Sequence, residues 1–292
     1  MRITILGTGA LACLFGARLA RQAEVTLVGT WPAGLRALEV SGITLEENGT
    51  TVSRRVAAAP LGQPLEPADL ALVLVKAWQT ESVAPHLPGL LNAGGTAVTL
   101  QNGLGNLEKL GPRACQGVTM VGATLLGPGR VRCGGAGPTH IAGPAWVAEA
   151  FREAGFEAYP VEAAQVTGLV WGKLAINCGI NALTALLRVQ NGELLERPDA
   201  RQLMERAAAE CAAVAQAKGI TLPFADAAAQ VCEMARRTAS NRSSMFQDVL
   251  RGAPTEIDAI NGAVAREGQR LGRPVPVNEV LWRLVKAMVE AG

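Results

Sequence analysis

The stretch Arg2-Ile3-Thr4-Ile5-Leu6-Gly7-Thr8-Gly9-Ala10-Leu11-Ala12 decides how the chain begins to fold. Ile3 to Leu6 reads as a short strand of β-branched and aliphatic residues. Gly7 permits a tight turn, Gly9 lets the backbone approach a phosphate, and Ala12 is small enough for a helix to pack closely on a strand. From Ala10 to Arg21 the apolar residues recur with helical spacing, and Gly16 extends the small face. The free amides and the positive dipole end at such a helix N-terminus attract anions. A glycine turn with a strand before it and a helix after it predicts a dinucleotide site made by Gly7, Thr8, Gly9, Ala10, Leu11 and Ala12. The competing readings are a glycine turn with no ligand and a signal peptide ending near Cys13. Glycines at 7, 9 and 16 interrupt the apolar run a signal peptide needs.

Outward from this turn, Val25 to Val28 reads as a second strand, and Leu70 to Val75 and Ala97 to Leu100 as further ones. The continuously apolar run Leu-Ala-Leu-Val-Leu-Val is what a parallel strand covered on both faces requires. Strand–helix alternation of this kind predicts a parallel sheet with right-handed crossovers. Between Val118 and Ile141 short strands broken by Gly and Pro are expected to run antiparallel at the far edge of that sheet. From Gln165 the character changes. Helices are predicted over Gln165–Leu187, Asp199–Lys218, Pro223–Ala239, Pro254–Leu271 and Val277–Ala291, with Gly219 at a C-cap and Pro254 in a first turn. The expected fold class is α/β: an N-terminal Rossmann dinucleotide-binding domain over residues 1–163, then an all-helical domain over residues 164–292.

Composition narrows the function. The 292 residues are 49% hydrophobic and 18% charged, with a net charge of +2, which excludes a disordered chain and gives no basic surface for nucleic acid. No run of about 18 uninterrupted apolar residues suggests a membrane span. Cys13, Cys115, Cys133, Cys178, Cys211 and Cys232 lack CxxC spacing, and the two histidines, His86 and His140, stand too far off to complete a zinc site. We therefore expect reduced thiols, a cytoplasmic location, no metal, and a small-molecule partner without nucleic acid or membrane. The basic residues are 22 Arg and only 5 Lys, which makes each lysine worth examining.

The cofactor is read from the end of the second strand. An acid there would hold a ribose 2′-hydroxyl and repel a 2′-phosphate. No acid occurs between Glu24 and Glu39, so NADP(H) is favoured over NAD(H), with Thr30 and Arg36 as the residues within reach of the phosphate.

The richest chemistry lies in Trp171 to Leu186. Lys173, Asn177 and Asn181 are spaced by four and form one stripe on an otherwise apolar helix. A buried unpaired polar group costs roughly 1–3 kcal/mol, so the stripe needs a polar partner, either a substrate in an interdomain cleft or a polar network between helices. Burial lowers a lysine pKa toward neutrality, which suits Lys173 to donate a proton to a carbonyl oxygen as hydride reaches the carbon. Lys76 ends the Leu70–Val75 strand and Asn102 follows the next, both at the carboxyl edge where ligands bind. The competing readings are a solvent-facing strand end for Lys76 and a turn residue for Asn102. Two polar clusters remain near the C-terminus. Ser243 or Ser244 is a candidate helix cap, and Glu256 falls where the dipole of a helix opened by Pro254 favours an acid.

Six blocks in order, GTGALA, VKAWQT, QNGLGN, WGKLAINCGINALTAL, NRSSMFQDV and TEIDAING, make the chain resemble the ketopantoate reductase (2-dehydropantoate 2-reductase) family almost end to end. The resemblance implies reduction of a 2-oxo acid, 2-dehydropantoate, to (R)-pantoate by NADPH on the way to pantothenate and coenzyme A. It implies Lys173 as general acid/base and Glu256 as the residue that binds substrate and sets the catalytic geometry. Asn102 is implied near nicotinamide and substrate, Lys76 at the cofactor, and Asn177, Asn181, Asn191, Asn241 and Ser244 at the substrate. Where the family often carries a basic residue after the second strand, this chain has Thr30-Trp31. Two alternatives stand beside this reading: a reductase of another 2-oxo acid, and an NADP-sensing regulator without catalysis. A monomer and a homodimer are both compatible with the sequence.

Overall fold

The computed structural model describes residues 1–290. The chain divides into two compact units, residues 1–101 with 106–166, and residues 102–105 with 167 onward. The short Asn102–Gly105 segment thus belongs with the helical unit, although it lies inside the α/β sequence.

The first unit runs β1 (Arg2–Leu6), α1 (Ala10–Leu19), β2 (Glu24–Gly29), α2 (Pro32–Ser41), β3 (Ile43–Glu47), β4 (Thr50–Arg54), β5 (Ala57–Pro60), β6 (Ala68–Val73), α3 (Thr80–Val83), α4 (Leu87–Leu90), β7 (Leu91–Thr99), α5 (Asn106–Leu110), β8 (Ala114–Thr119), β9 (Gly122–Gly127), β10 (Arg130–Gly135), β11 (Thr139–Ala142), α6 (Ala145–Glu153) and β12 (Ala158–Pro160). Its main sheet has the order β12-β11-β8-β7-β6-β1-β2-β5. From β5 to β8 every pairing is parallel, and β11 then runs antiparallel to β8. The strand order reverses between β1 and β6, so the carboxyl ends of these two neighbours flank the crevice where doubly wound sheets bind ligands.

The Val118–Ile141 region corrects the sequence reading. Only β8 and β11 join the main sheet. β9 and β10 instead form a second sheet with β3 and β4, ordered β4-β3-β10-β9. The β3–β4 hairpin is closed by Asn48 (φ 50°) and Gly49 (φ 73°), the pair of positive-φ residues that a two-residue hairpin turn requires. Leu70–Val75 is strand only to Val73, and the strand expected from Ala97 begins already at Leu91. Helix α1 packs its buried Phe15 against Phe156 and Phe151, with ring centroids 4.2 Å and 5.4 Å apart.

The second unit is built on α7 (Ala163–Leu187), followed by α8 (Glu193–Glu196), α9 (Pro198–Ala217), α10 (Ala227–Arg237), α11 (Ser244–Leu250), α12 (Asn261–Arg270) and α13 (Pro276–Glu290). Leu174, Cys178, Met204, Cys211, Val231 and Val264 lie at its centre. Each fully buried aliphatic side chain there contributes roughly 1.5–3 kcal/mol. Among the described residues α7 alone is long and apolar enough to cross a membrane, but 72% of its most apolar window is buried inside the fold. That is how the core helix of a globular unit is covered.

Two predicted helices start later than expected. Asp226 caps α10 by accepting from the Ala229 amide at 3.0 Å, so Pro223 and its neighbours stay outside the helix. The helix placed over Pro254–Leu271 begins only at Asn261. Residues 254–260 form turns closed by Ala259 N–H and Ile260 N–H donating to the Glu256 carbonyl and Gly262 N–H donating to that of Ile257. Pro254 therefore opens no helix, and Glu256 does not stand in a first helical turn. The last predicted helix begins at Pro276, and its expected end, Ala291, lies outside the described residues.

Candidate functional site

The turn after β1 is fixed by its own backbone. Gly7 has φ +131°, and a Cβ there would stand 3.0 Å from the backbone carbon and oxygen of Leu74, just past β6. Its N–H donates to the Val28 carbonyl at 2.7 Å, which ties the turn to β2. Only glycine tolerates both the dihedral and the approach. Gly9 differs. It stands at the N-cap of α1, is exposed, and an added Cβ would meet nothing within 4 Å. The space in front of the helix is therefore open at Gly9, and the first turn of α1 carries no acid. Ala12 is fully buried, and a Cβ on Gly16 would lie 2.9 Å from Ile43 Cδ1, so the small face closes the helix onto the strands. Thr8 is buried against Gly29, whereas Ala10 and Leu11 are half-buried at the helix start. Open space, free-standing amides and no competing carboxylate fit a pyrophosphate.

Lys76 follows β6 and stands half-buried beside this turn's neighbour strand. Sequence reasoning missed what holds it. Gln101, just beyond β7, donates from Nε2 to the Val75 carbonyl and to Thr80 Oγ1, both at 2.9 Å, while its Oε1 accepts from Thr99 Oγ1 at 2.9 Å. Thr80 also reaches Asn106 Oδ1 at 2.9 Å. This network pins the ends of β6 and β7 together, and with them the Lys76 turn. Nothing in the sequence around Gln101 marks it as buried, so its role shows only through these partners.

At the end of β2, Thr30, Trp31 and Arg36 are all exposed. The Trp31 indole lies over Gly34, where a Cβ would come within 2.3 Å of its ring.

In the helical unit α7 is continuous through Lys173, Asn177 and Asn181. With a rise of about 1.5 Å per residue, Asn177 lies roughly 6 Å and Asn181 roughly 12 Å along the axis from Lys173. Lys173 and Asn177 are half-buried and Asn181 is buried. Burial pushes the Lys173 amine down to about 8, and the Glu256 carboxylate acts in the opposite direction. Loss of hydration destabilises the ammonium, and a nearby negative charge restores part of it. Glu256 is itself buried, 5% exposed, and its Oε2 accepts from Asn102 Nδ2 at 3.2 Å. Asn102 reaches it because the following loop is clamped. Leu104 N–H donates to the Ala259 carbonyl at 2.9 Å, and Gly103 has φ +81° where a Cβ would lie 2.4 Å from that same oxygen. Lys173, Glu256 and Asn102, far apart in sequence, are thus linked within one unit. Such a set can deliver a proton from Nζ while amides hold a carboxylate or hydroxyl.

The remaining candidates gather farther along α7. Ser243 caps α11 by accepting from Phe246 N–H at 3.1 Å, and Thr184 Oγ1 donates to its hydroxyl at 2.7 Å. Ser243 is therefore the cap, and Ser244, half-buried, is the first residue of the helix. Thr184, one turn beyond Asn181 and fully buried, was not singled out from the sequence. Asn191 is buried, donates from Nδ2 to Thr238 Oγ1 at 2.9 Å, and its N–H donates to the Asn241 carbonyl at 3.0 Å. It anchors the loop before Ser243. Asn241 itself is exposed.

Comparison with known proteins gives a consistent neighbourhood. The family model described as ketopantoate reductase PanE/ApbA matches residues 3–145, and its C-terminal counterpart matches residues 165–289. A 2-dehydropantoate 2-reductase of Halobacterium salinarum is 37% identical over 301 residues, 98% of each chain. Among solved structures, a PanE/ApbA family ketopantoate reductase from Ralstonia eutropha JMP134 is 34% identical, with a TM-score of 0.92 over 100% of this chain and 99% of that one. D-mandelate dehydrogenase in a ternary structure with NADH and anilino(oxo)acetate is 27% identical, with a TM-score of 0.91 over the same shares.

Proposed function

Because the chain belongs to the ketopantoate reductase family, we propose that it is a cytoplasmic enzyme that reduces 2-dehydropantoate to (R)-pantoate with NADPH, in pantothenate and coenzyme A synthesis. The observation that carries the reading is a lysine amine brought to about 8 by burial and faced by a buried carboxylate. A lysine in that range is still protonated at neutral pH yet gives up its proton readily.

The cofactor's pyrophosphate would be held by the amides around Gly9 to Ala12, with Thr8 behind them and Lys76 near the nicotinamide end. Thr30 and Arg36 are the residues proposed for the 2′-phosphate. When bound, the reduced nicotinamide supplies a hydride to the ketone carbon. Lys173 Nζ gives its proton to the carbonyl oxygen, which becomes the hydroxyl, and the neutral amine regains a proton from solvent. Glu256 holds Lys173 in its charged form before the step and accepts a hydrogen bond from a substrate hydroxyl. Asn102, Asn177 and Asn181 orient the substrate, and Ser244, Asn191 and Asn241 bound its far side. Domain 1–163 is proposed as the cofactor module and domain 164–292 as the substrate module.

Loss of reduced-nicotinamide absorbance with ketopantoate tests this reading. No turnover with either cofactor, despite NADPH binding, would replace it with the sensing-regulator alternative. One observation favours a second reading. Thr30 and Trp31 supply no positive charge after β2, and the neighbouring D-mandelate dehydrogenase structure contains NADH. On that reading the chain uses NADH on another 2-oxo acid. Higher kcat/KM with NADH across a panel of 2-oxo acids would select it.

A further inference from the structure

Glu256 stands in a turn with no helix to hold it, so something else must fix its carboxylate. One side of the turn is the Gly103-Leu104 clamp. The other side is formed by α12 and α13. Trp282 Nε1–H, from α13, donates to Asp258 Oδ1 at 2.6 Å. Arg266 Nη2–H, from α12, donates to the Asp258 carbonyl at 2.7 Å, and its guanidinium lies 5.5 Å from the Trp282 ring centroid. Lys286 Nζ stands 3.6 Å from Asp258 Oδ1 and 5.9 Å from the same ring. A Cβ on Gly262, in the first turn of α12, would lie 2.8 Å from Trp282 Cε2 and Nε1. The indole therefore rests on the start of α12 and grips the turn that leads into it.

These contacts differ in what they can fix. Both contacts to the Asp258 carboxylate are solvent-exposed, but Lys286 is a flexible point charge at 3.6 Å, and exposed ion pairs hold geometry weakly. The indole is a rigid, single-donor group laid on glycine, so its hydrogen bond has one direction. Asp258 is two residues from Glu256, and the Glu256 carbonyl accepts from the amides of Ala259 and Ile260 just beyond it, so Asp258 lies inside the closed turn. Movement of Asp258 is transmitted to Glu256 through that closed turn.

We infer that Trp282, through Asp258, is a positioning residue that holds Glu256 toward Lys173. The inference rests on the proposed role of Glu256. Its test compares W282F, D258A and D258N with E256Q in the full chain, using kcat against pH and cofactor Kd. W282F keeps the ring packing and removes the donor; D258A removes the acceptor and leaves the indole in place. Both are expected to lower kcat roughly tenfold, as small misplacements of catalytic groups do. Both are expected to move the basic limb of the pH profile to lower pH, in the direction of E256Q, with cofactor Kd unchanged. D258N, whose amide oxygen still accepts, is expected to recover most of both effects. If W282F and D258A keep the parental basic limb while E256Q loses activity, the positioning role is wrong. If E256Q itself is unaffected, the role assigned to Glu256 fails and this inference with it. D258A decides the question even where W282F fails to fold.

Discussion

Two turns, each leading into a helix, carry the proposed chemistry in different ways. The Gly7–Gly9 turn presents backbone. Its shape follows from a positive φ at Gly7 and open space at Gly9, and the atoms that close it in, the Val28 carbonyl and the Leu74 backbone, are main chain as well. The Glu256 turn presents a side chain. Its shape follows from Leu104, Arg266 and Trp282, none of them its neighbours in sequence. A backbone-made anion site can be local, because N–H groups are the same in every residue. A proton-donating site cannot, because its pKa depends on what surrounds it.

The largest test of this contrast removes the titrating group. Lys173→Ala is expected to lower kcat by about 10²–10⁴-fold, the usual range for a positioned acid. Cofactor Kd, measured by fluorescence titration, should stay within about twofold. Parallel losses in both would mean that Lys173 serves the cofactor rather than the proton.

Next in size are the two glycines. Gly7→Ala forces a Cβ against Leu74 at a positive φ, and strain of that kind costs on the order of 1–3 kcal/mol, read as a lower denaturation midpoint. Gly9→Ala meets no atom within 4 Å, so the fold should stay within about 1 kcal/mol of the parent. Its methyl group would still occupy the phosphate's approach, and NADPH Kd should rise by about tenfold or more, close van der Waals overlap being that unfavourable. A Gly9→Ala variant with parental NADPH affinity would count against the amide cradle.

A smaller effect comes from pH. Lys173 must be protonated to donate, and its pKa lies at about 8 in the folded chain. Reduction should therefore be near its plateau at neutral pH and fall as pH rises through about 8. Glu256→Gln removes the charge that raises this pKa, so its basic limb should lie lower. A basic limb near the ordinary lysine value would show that Nζ is hydrated.

Much of this was legible in the chain. The β1 turn, the parallel order around it and the Lys173–Asn177–Asn181 stripe follow from period and spacing alone. The second sheet was not read, although Asn48-Gly49 between β3 and β4 marks a hairpin. Its β10–β3 pairing joins residues more than 80 apart, which periodicity does not reveal. The turn at 254–260 was read as helix because Pro254 and the acid at Glu256 mimic a helix start. The anchors that unwind it lie on α12, α13 and the 102–105 loop. Gln101 and Thr184 escaped notice because a buried polar residue announces its role only through its partners.

The smallest prediction concerns such a partner pair. Thr184 Oγ1 and Ser243 Oγ are 2.7 Å apart and both buried, and Ser243 also caps α11. Ser243→Ala removes the cap and frees the single Thr184 hydroxyl proton to turn to the Ile180 carbonyl, 2.9 Å away. The loss should be about 1–2 kcal/mol in urea unfolding, the range for a buried cap. Thr184→Val should cost about 1 kcal/mol, since its hydroxyl donates one net hydrogen bond. Because the two groups touch, the double variant should lose at least about 0.5 kcal/mol less than the sum of the singles. Additive losses would mean that α7 and the start of α11 are not tied through this contact. In that case Ser244, which follows the cap directly, would be held in place by the α11 backbone alone. The side-chain-made half of the site would then be more local than the Glu256 turn suggests.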